Sequence, residues 1–181
     1  MNIPATIRSP KARYFWPLLL VLVLTDCATK DLAIGHLDPT PLPQPVIDPY
    51  LRFTLVRNPD TAFGFDLHPY LGSWTRPALI LTMIAVLLVL LRIYRDLSPR
   101  ARLAAAGLGL ACGGAIGNMV DRVRFPIGVV DFIDVGIGAH RFFIFNVADV
   151  GINIGAGLLA LALLREERRR SKLGTGDLAA G

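Results

Sequence analysis

Hydrophobic positions in this chain fall in long blocks separated by short clusters of charge. PALILTMIAVLLVLL lies between Arg76 and Arg92, and LAAAGLGLACGGAIGNMV lies between Arg102 and Asp121. From Arg141 to Arg165 the only charged residue is Asp149. A further apolar run opens at Tyr14 and is interrupted only near its end, by Asp26, Lys30 and Asp31. Blocks of this kind approach the roughly 20 apolar residues that cross a bilayer. They predict an all-α polytopic membrane protein with four transmembrane helices, over about 14–34, 77–94, 101–120 and 145–164.

The polar intervals have their own patterns. HLDPTPLPQPVIDP, from His36 to Pro49, is too rich in proline for helix interior or central strand. LRFTLVRN after it alternates enough to predict a short strand over Leu51–Asn58. Span three is dense in glycine and alanine, which lets helices approach closely in lipid. No internal repeat is visible.

Composition agrees with a membrane class: 53% of residues are hydrophobic, 18% are charged and the mean hydropathy is +0.51. The net charge of +5 would suit nucleic acid, but the positions of the cations do not. Arg8, Lys11 and Arg13 precede span one, and Arg92, Arg95, Arg100 and Arg102 lie between spans two and three. Arg165, Arg168, Arg169, Arg170 and Lys172 follow span four. All fall on one side of a four-span path, as the positive-inside rule requires. Both termini are then cytoplasmic, and the basic flanks favour anionic lipid. The chain divides into a basic lead (1–13), a membrane domain (14–164) with external segments at about 35–75 and 121–143, and a basic tail (165–181). Residues 171–181 of that tail are expected to lack fixed structure. Without interleaved aromatics or a binding motif, no nucleic-acid partner is expected.

Polar side chains at membrane depth are costly and point to function. At 1.5 Å per helical residue, Asp149 lies roughly 24 Å from Arg165, Asn118 roughly 24 Å from Arg102, and Asp26 roughly 20 Å from Arg13. In a core about 30 Å thick, all three reach the outer third. Each helix brings a pair on one face: Asp26 with Lys30, Asn118 with Asp121 and the adjacent Arg122, and Asn146 with Asp149. Helix capping and buried hydrogen bonds are the plain alternative for Asn118, Asp121 and Arg122. Asp26 and Lys30, spaced i,i+4, read as a self-contained structural ion pair. Asp149 has no cation near it in sequence and is harder to explain by structure alone.

Acid–base chemistry needs a second carboxylate, and VVDFIDV offers Asp131 and Asp134. Asp131 has apolar neighbours that would raise a carboxyl pKa, whereas Asp134 reads as a solvated turn residue. Two carboxylates in one confined site do not both ionise easily, so one holds a proton while the other activates water. The cysteines, Cys27 and Cys112, give neither a disulfide framework nor metal spacing, and His36, His68 and His140 lie in external segments. No metal and no organic cofactor is expected. Cys27 follows Asp26 where a lipid-attachment signal wants a small neutral residue, so the first helix is read as retained.

These blocks, in order, carry a resemblance: TDCATK, RNPDTAFGF (Asn58, Ala62, Phe63, Gly64), GGAIGNMVDR, VVDFIDV and FNVADVGINIG (Asn146, Ala148, Asp149). Over about residues 14–164 the chain resembles the lipoprotein signal peptidase family, signal peptidase II. The resemblance implies an aspartyl endopeptidase of the bacterial inner membrane with its active site toward the extracytoplasmic face. Such enzymes remove the signal peptide of prolipoproteins just before a diacylglyceryl-modified cysteine, so the implied partners are those substrates and membrane lipid. It implies Asp131 and Asp149 as the catalytic pair. It also implies substrate-binding or site-shaping roles for Asn58, Asn118, Asp121, Arg122, Asn146, Asp26 and Lys30. The family's fold has four transmembrane helices and a small extracytoplasmic β-structure. The chain departs at Asp60, where the family usually has glycine; aspartate tolerates left-handed backbone, so retuned recognition is expected, not lost activity. Two other readings are a catalytically silent paralogue that binds lipoproteins and a small proton-coupled transporter. The second needs a polar path to both faces, and the inner halves of spans two and four (LLVLL, LLALALL) provide none.

Overall fold

The computed structural model describes residues 9–40, 42–59, 67–138 and 140–178, with side chains as far as 171. The chain is mostly helical. Helix α1 is Ala12–His36; strands β1 (Gln44–Ile47) and β2 (Leu51–Asn58) follow. A four-residue helix α2 (His68–Leu71) and a 3₁₀ turn lead into α3 (Thr75–Asp96). Then come α4 (Arg102–Arg124), β3 (Val129–Ile137), β4 (His140–Arg141) and α5 (Val147–Leu178). Among the described residues, three helical stretches are long and apolar enough to cross a membrane: His68–Asp96, Arg102–Arg124 and Val147–Ser171. Helix α1 is 25 residues long and carries three charges between Asp26 and Asp31.

The observed helices run somewhat past the expected ends. Helix α4 continues through Arg124, so Asp121 and Arg122 lie in its last turns and the external segment begins after them. Helix α5 starts at Val147, so Asp149 lies in its first turn, at the start of the apolar stretch Val147–Ser171. The tail expected to be unstructured is helical through Leu178. The preceding Arg165–Arg170 stretch consists of good helix formers and leads α5 into it, with Arg170 paired to Glu166 one turn back at 3.1 Å.

Helix α4 is the central helix, packed between α1 and α5, with α3 on its outer side. Its small residues make this possible. A Cβ on Gly109 would lie 2.6 Å from the Phe15 carbonyl of α1, and one on Gly107 would lie 2.7 Å from the Gly155 carbonyl of α5. Close backbone approach of this kind is how helices associate in lipid. Between α1, α3 and α4 a core forms from Phe15, Leu19, Tyr94, Ala105, Leu108 and Cys112. At this end Lys11 donates to the carbonyls of Tyr94 (2.7 Å), Arg95 (3.1 Å) and Leu97 (2.6 Å), closing the C-terminus of α3.

The strands form one antiparallel sheet in the order β1-β2-β3-β4. The proline-rich segment supplies β1 at the edge, where Pro45 costs the ladder least. Strand β2 occupies the expected residues and pairs with β3, with Val56 opposite Asp131 and Asn58 opposite Val129. Ala33 of α1 packs with Leu55, Val130 and Phe132 beneath the sheet, which fixes the sheet over the end of the helical bundle. Phe145 bridges to Ile133 and carries the chain from the sheet edge into α5.

Candidate active site

The polar residues expected to converge do so where the bundle meets the sheet. Helix α5 opens with a reciprocal cap. The Asp149 backbone N–H donates to Asn146 Oδ1 at 3.0 Å, and the Asn146 N–H donates to Asp149 Oδ2 at 3.2 Å. This is the capping-box arrangement, with asparagine at the cap and aspartate three residues on. It sets Asp149 at a helix N-terminus, where a negative charge is favoured. Asn118 of α4 donates to the other oxygen, Asp149 Oδ1, at 2.9 Å.

Asp131 comes from β3, outside the helices, and is 3% exposed. Asn146 Nδ2 donates to its Oδ1 at 2.6 Å, and Asn58 Nδ2 at the end of β2 donates to its Oδ2 at 3.0 Å. Asn58 reaches it diagonally across the β2–β3 ladder, within the span of cross-strand neighbours. Gly128, at φ +116°, makes that pairing possible, because a Cβ there would collide with the Asn58 carbonyl. Burial raises the Asp131 carboxyl from its usual 3.8 to about 6. The Asn58 hydrogen bond opposes the shift, the Asp149 charge adds to it, and Asn146 and Lys30 oppose it.

One residue therefore serves both carboxylates: Asn146 binds Asp131 through its side chain and Asp149 through its backbone and cap. It is fully buried, and its amide also donates to Asn118 Oδ1 at 3.1 Å. Lys30 donates to that same Asn118 oxygen at 2.8 Å. An ammonium only donates, so Asn118 must turn its oxygen to Lys30 and its NH₂ to Asp149.

Two expectations need correction. Asp26 and Lys30 are not a self-contained pair. Lys30 lies 2.8 Å from Asp26 and also 3.0 Å from Asp121, ninety-one positions along the chain, so spacing within α1 gave no sign of it. Asp134 is not a solvated turn residue. It is buried in β3, paired with Arg141 at 2.8 Å, and accepts from Thr54 at 3.3 Å. Arg141 also donates to the Asp134 and Pro49 carbonyls, both at 2.7–2.8 Å, so it ties β3 to the β1–β2 turn.

Arg122 is buried and donates to the Pro59 carbonyl at 3.2 Å. It lies on the wall of an open cavity of about 550 Å³ lined also by Pro59, His68, Ser73, Arg76 and Gly128. Of the nine expected site residues only Arg122 lines this cavity; Pro59, next in the chain to Asn58, lines it as well. Asp60, Ala62, Phe63 and Gly64 of the expected second block lie outside the described residues.

Sequence reasoning missed several contributors. Arg76 donates to the carbonyls of Arg122 (2.8 Å) and Val123 (2.9 Å) and closes the C-terminus of α4. The backbone N–H groups of Val130 and Ala148 are held by the carboxylates of Asp121 (3.0 Å) and Asp26 (2.8 Å). Gly117 leaves room for the Asp26 carboxylate, which a Cβ would strike. The only sequence signal for these was the small-residue pattern of α4.

A family model described as Signal peptidase (SPase) II matches residues 18–165. The lipoprotein signal peptidase of Geobacter metallireducens is 38% identical over 165 residues, covering 90% of this chain and 98% of that one. That of Geobacter sulfurreducens is 40% identical over 164 residues, with the same coverage. The lipoprotein signal peptidase of Photorhabdus laumondii is 33% identical over 178 residues, covering 96% of this chain and all of that one. Among solved structures, a bacterial membrane enzyme superposes with a TM-score of 0.70 at 30% identity, covering 83% of this chain and 87% of that one. A second, also a bacterial membrane enzyme, gives 0.68 at 31% identity over 81% and 90%.

Proposed function

The chain belongs to the signal peptidase II family, and from that premise we propose that it removes the signal peptide of prolipoproteins by an aspartyl mechanism, with Asp131 and Asp149 as the catalytic dyad. The cut falls just before the diacylglyceryl-modified cysteine. Helix α1 serves as a fourth span, both termini are cytoplasmic, and the site faces the outer leaflet of the bacterial inner membrane. A site at that depth suits a substrate whose acyl chains lie in the bilayer and whose scissile bond is near the headgroups.

The observation that carries this reading is the shared grip of Asn146 on both carboxylates. It supports two acids facing one reacting centre, the condition under which one holds a proton and the other does not. The ionised member takes a proton from a water as its oxygen attacks the scissile carbonyl carbon. The protonated member hydrogen-bonds to the carbonyl oxygen, which takes the negative charge as the tetrahedral intermediate forms. Collapse of that intermediate re-forms the C=O and breaks the C–N bond. The leaving nitrogen picks up a proton from the dyad. Asn58, Asn118 and Asn146 hold the carboxylates in orientation throughout, and Arg122 shapes the cavity it lines for substrate.

Complementation tests this reading. In a strain depleted of its own lipoprotein signal peptidase, the wild-type chain should restore growth and prolipoprotein processing. The Asp131→Asn and Asp149→Asn variants, expressed at equal level, should not. Growth without processing would instead support a lipoprotein-binding role.

A further inference from the structure

Lys30 occupies the centre of the buried polar cluster, and its ammonium faces three oxygens, two in ion pairs and one in a hydrogen bond. They belong to Asp26 at 2.8 Å, Asp121 at 3.0 Å and Asn118 (Oδ1) at 2.8 Å. Lys30, Asp26 and Asp121 are each at most 2% exposed. A single carboxylate would neutralise a single ammonium. A second buried carboxylate is expensive unless further hydrogen bonds repay its desolvation. Those bonds exist, and their destinations are informative. Asp121 takes the backbone N–H of Val130, the residue before Asp131. Asp26 takes the backbone N–H of Ala148, the residue before Asp149. The Ala148 N–H is among the helix-start donors that have no partner within α5, so Asp26 also anchors that helix end.

We propose that Lys30 is the positioning residue of the dyad: its one ammonium holds two carboxylates, each of which holds the backbone beside one catalytic aspartate, so that Lys30 sets their separation. The third contact adds to the same end, because it fixes the Asn118 amide that orients Asp149. This rests on the dyad reading for its functional meaning, while its geometry can be tested without any cleavage. A displacement of about 1 Å between reacting groups costs on the order of 100-fold in rate, so a clasp at this point governs turnover, not affinity.

The test uses the full chain in lipid nanodiscs, with amide hydrogen exchange of Val130 and Ala148 followed beside kcat and KM on a diacylglyceryl prolipoprotein peptide. Lys30→Met should speed exchange of both amides at least about tenfold, the effect of losing a charge-assisted hydrogen bond. Amides in the middle of α3 should not change. In the same variant kcat should fall about 100-fold with KM within about threefold of wild type. Asp121→Leu should release the Val130 amide alone, and Asp26→Leu the Ala148 amide alone. These two variants decide the matter if Lys30→Met fails to fold. Unchanged protection at both amides in Lys30→Met overturns the clasp, as does release of both by either leucine variant, which would signal general loosening. A raised KM with unchanged kcat overturns it too, since Lys30 would then act on substrate. If the wild-type chain leaves the peptide uncut, the proposed function fails while the exchange result still decides the clasp.

Discussion

Two lysines are buried at opposite ends of helix α1, Lys11 at its N-cap and Lys30 toward its C-terminus, and they differ in what they meet. Lys11, 4% exposed, donates to three backbone carbonyls and sits 4.9 Å over the Tyr94 ring, beside the stacked Phe15. Its partners are the spare acceptors of a helix C-terminus, which a cation satisfies without any opposing charge. Lys30, 1% exposed, meets two carboxylates and an asparagine, in a cluster that goes on to two more carboxylates. The first arrangement closes a helix and packs an apolar core. The second keeps several ionisable groups out of water, which stability alone does not favour. A buried cluster of several opposed charges, present at one end only, is therefore the mark of function in this fold.

That contrast can be broken at three points. The largest expected effect is at Asn146. Replacing it with alanine removes the amide on Asp131 and the oxygen that caps the Asp149 N–H, and should lower the single-turnover cleavage rate by about 100-fold. A loss of less than about threefold would mean that the shared grip is incidental.

The second effect reverses the usual sign of a buried substitution. Asp131 is raised to about 6 in the fold, chiefly by burial, against 3.8 for the free group. Below pH about 4 it is protonated whether the chain is folded or not, and it costs nothing. As pH rises from about 4 to 6 the unfolded chain ionises first, so stability falls and stays lower above 6. Two pKa units correspond to about 3 kcal/mol. Asp131→Asn should thus be more stable than wild type at pH 7 by up to about 3 kcal/mol, with the gap closing near pH 4. Thermal melts across that pH range check it, and a destabilised Asp131→Asn at pH 7 would count against a strained, functional carboxyl.

The smallest effect is expected at the other lysine. Lys11→Met leaves three carbonyls without their donor and should cost about 1–3 kcal/mol of stability. Its kcat and KM should be those of wild type. A marked fall in kcat at this distance would erase the distinction between the two ends.

Much of this architecture was legible in local pattern. The extent of β2 matched the alternation of LRFTLVRN, and the first three long helices followed the apolar blocks to within a few residues, while the last ran on to Leu178. Depth counting brought Asp26, Asn118 and Asp149 to one level, and the structure links them through Lys30, Asn118 and Asn146. What escaped was whatever depends on partners distant in sequence. Asp134 was misread because its environment is made by Thr54, eighty positions away, and by Arg141 across a hairpin. Lys30 was misread because Asp121 lies on another helix. The holds on Val130 and Ala148 were invisible for a further reason: they engage backbone N–H groups, which every residue has and no motif reveals. The tail was misjudged because a chain terminus was expected to fray, whereas the helix formers of REERRR carry α5 into it.

The dyad itself is most directly tested with purified protein and a synthetic diacylglyceryl prolipoprotein peptide, with the products read by mass spectrometry. The expected result is a single cut immediately before the lipidated cysteine by the wild-type chain, slowed by at least about 100-fold in both Asp131→Asn and Asp149→Asn. Cleavage at that bond by either variant at close to the wild-type rate would contradict it.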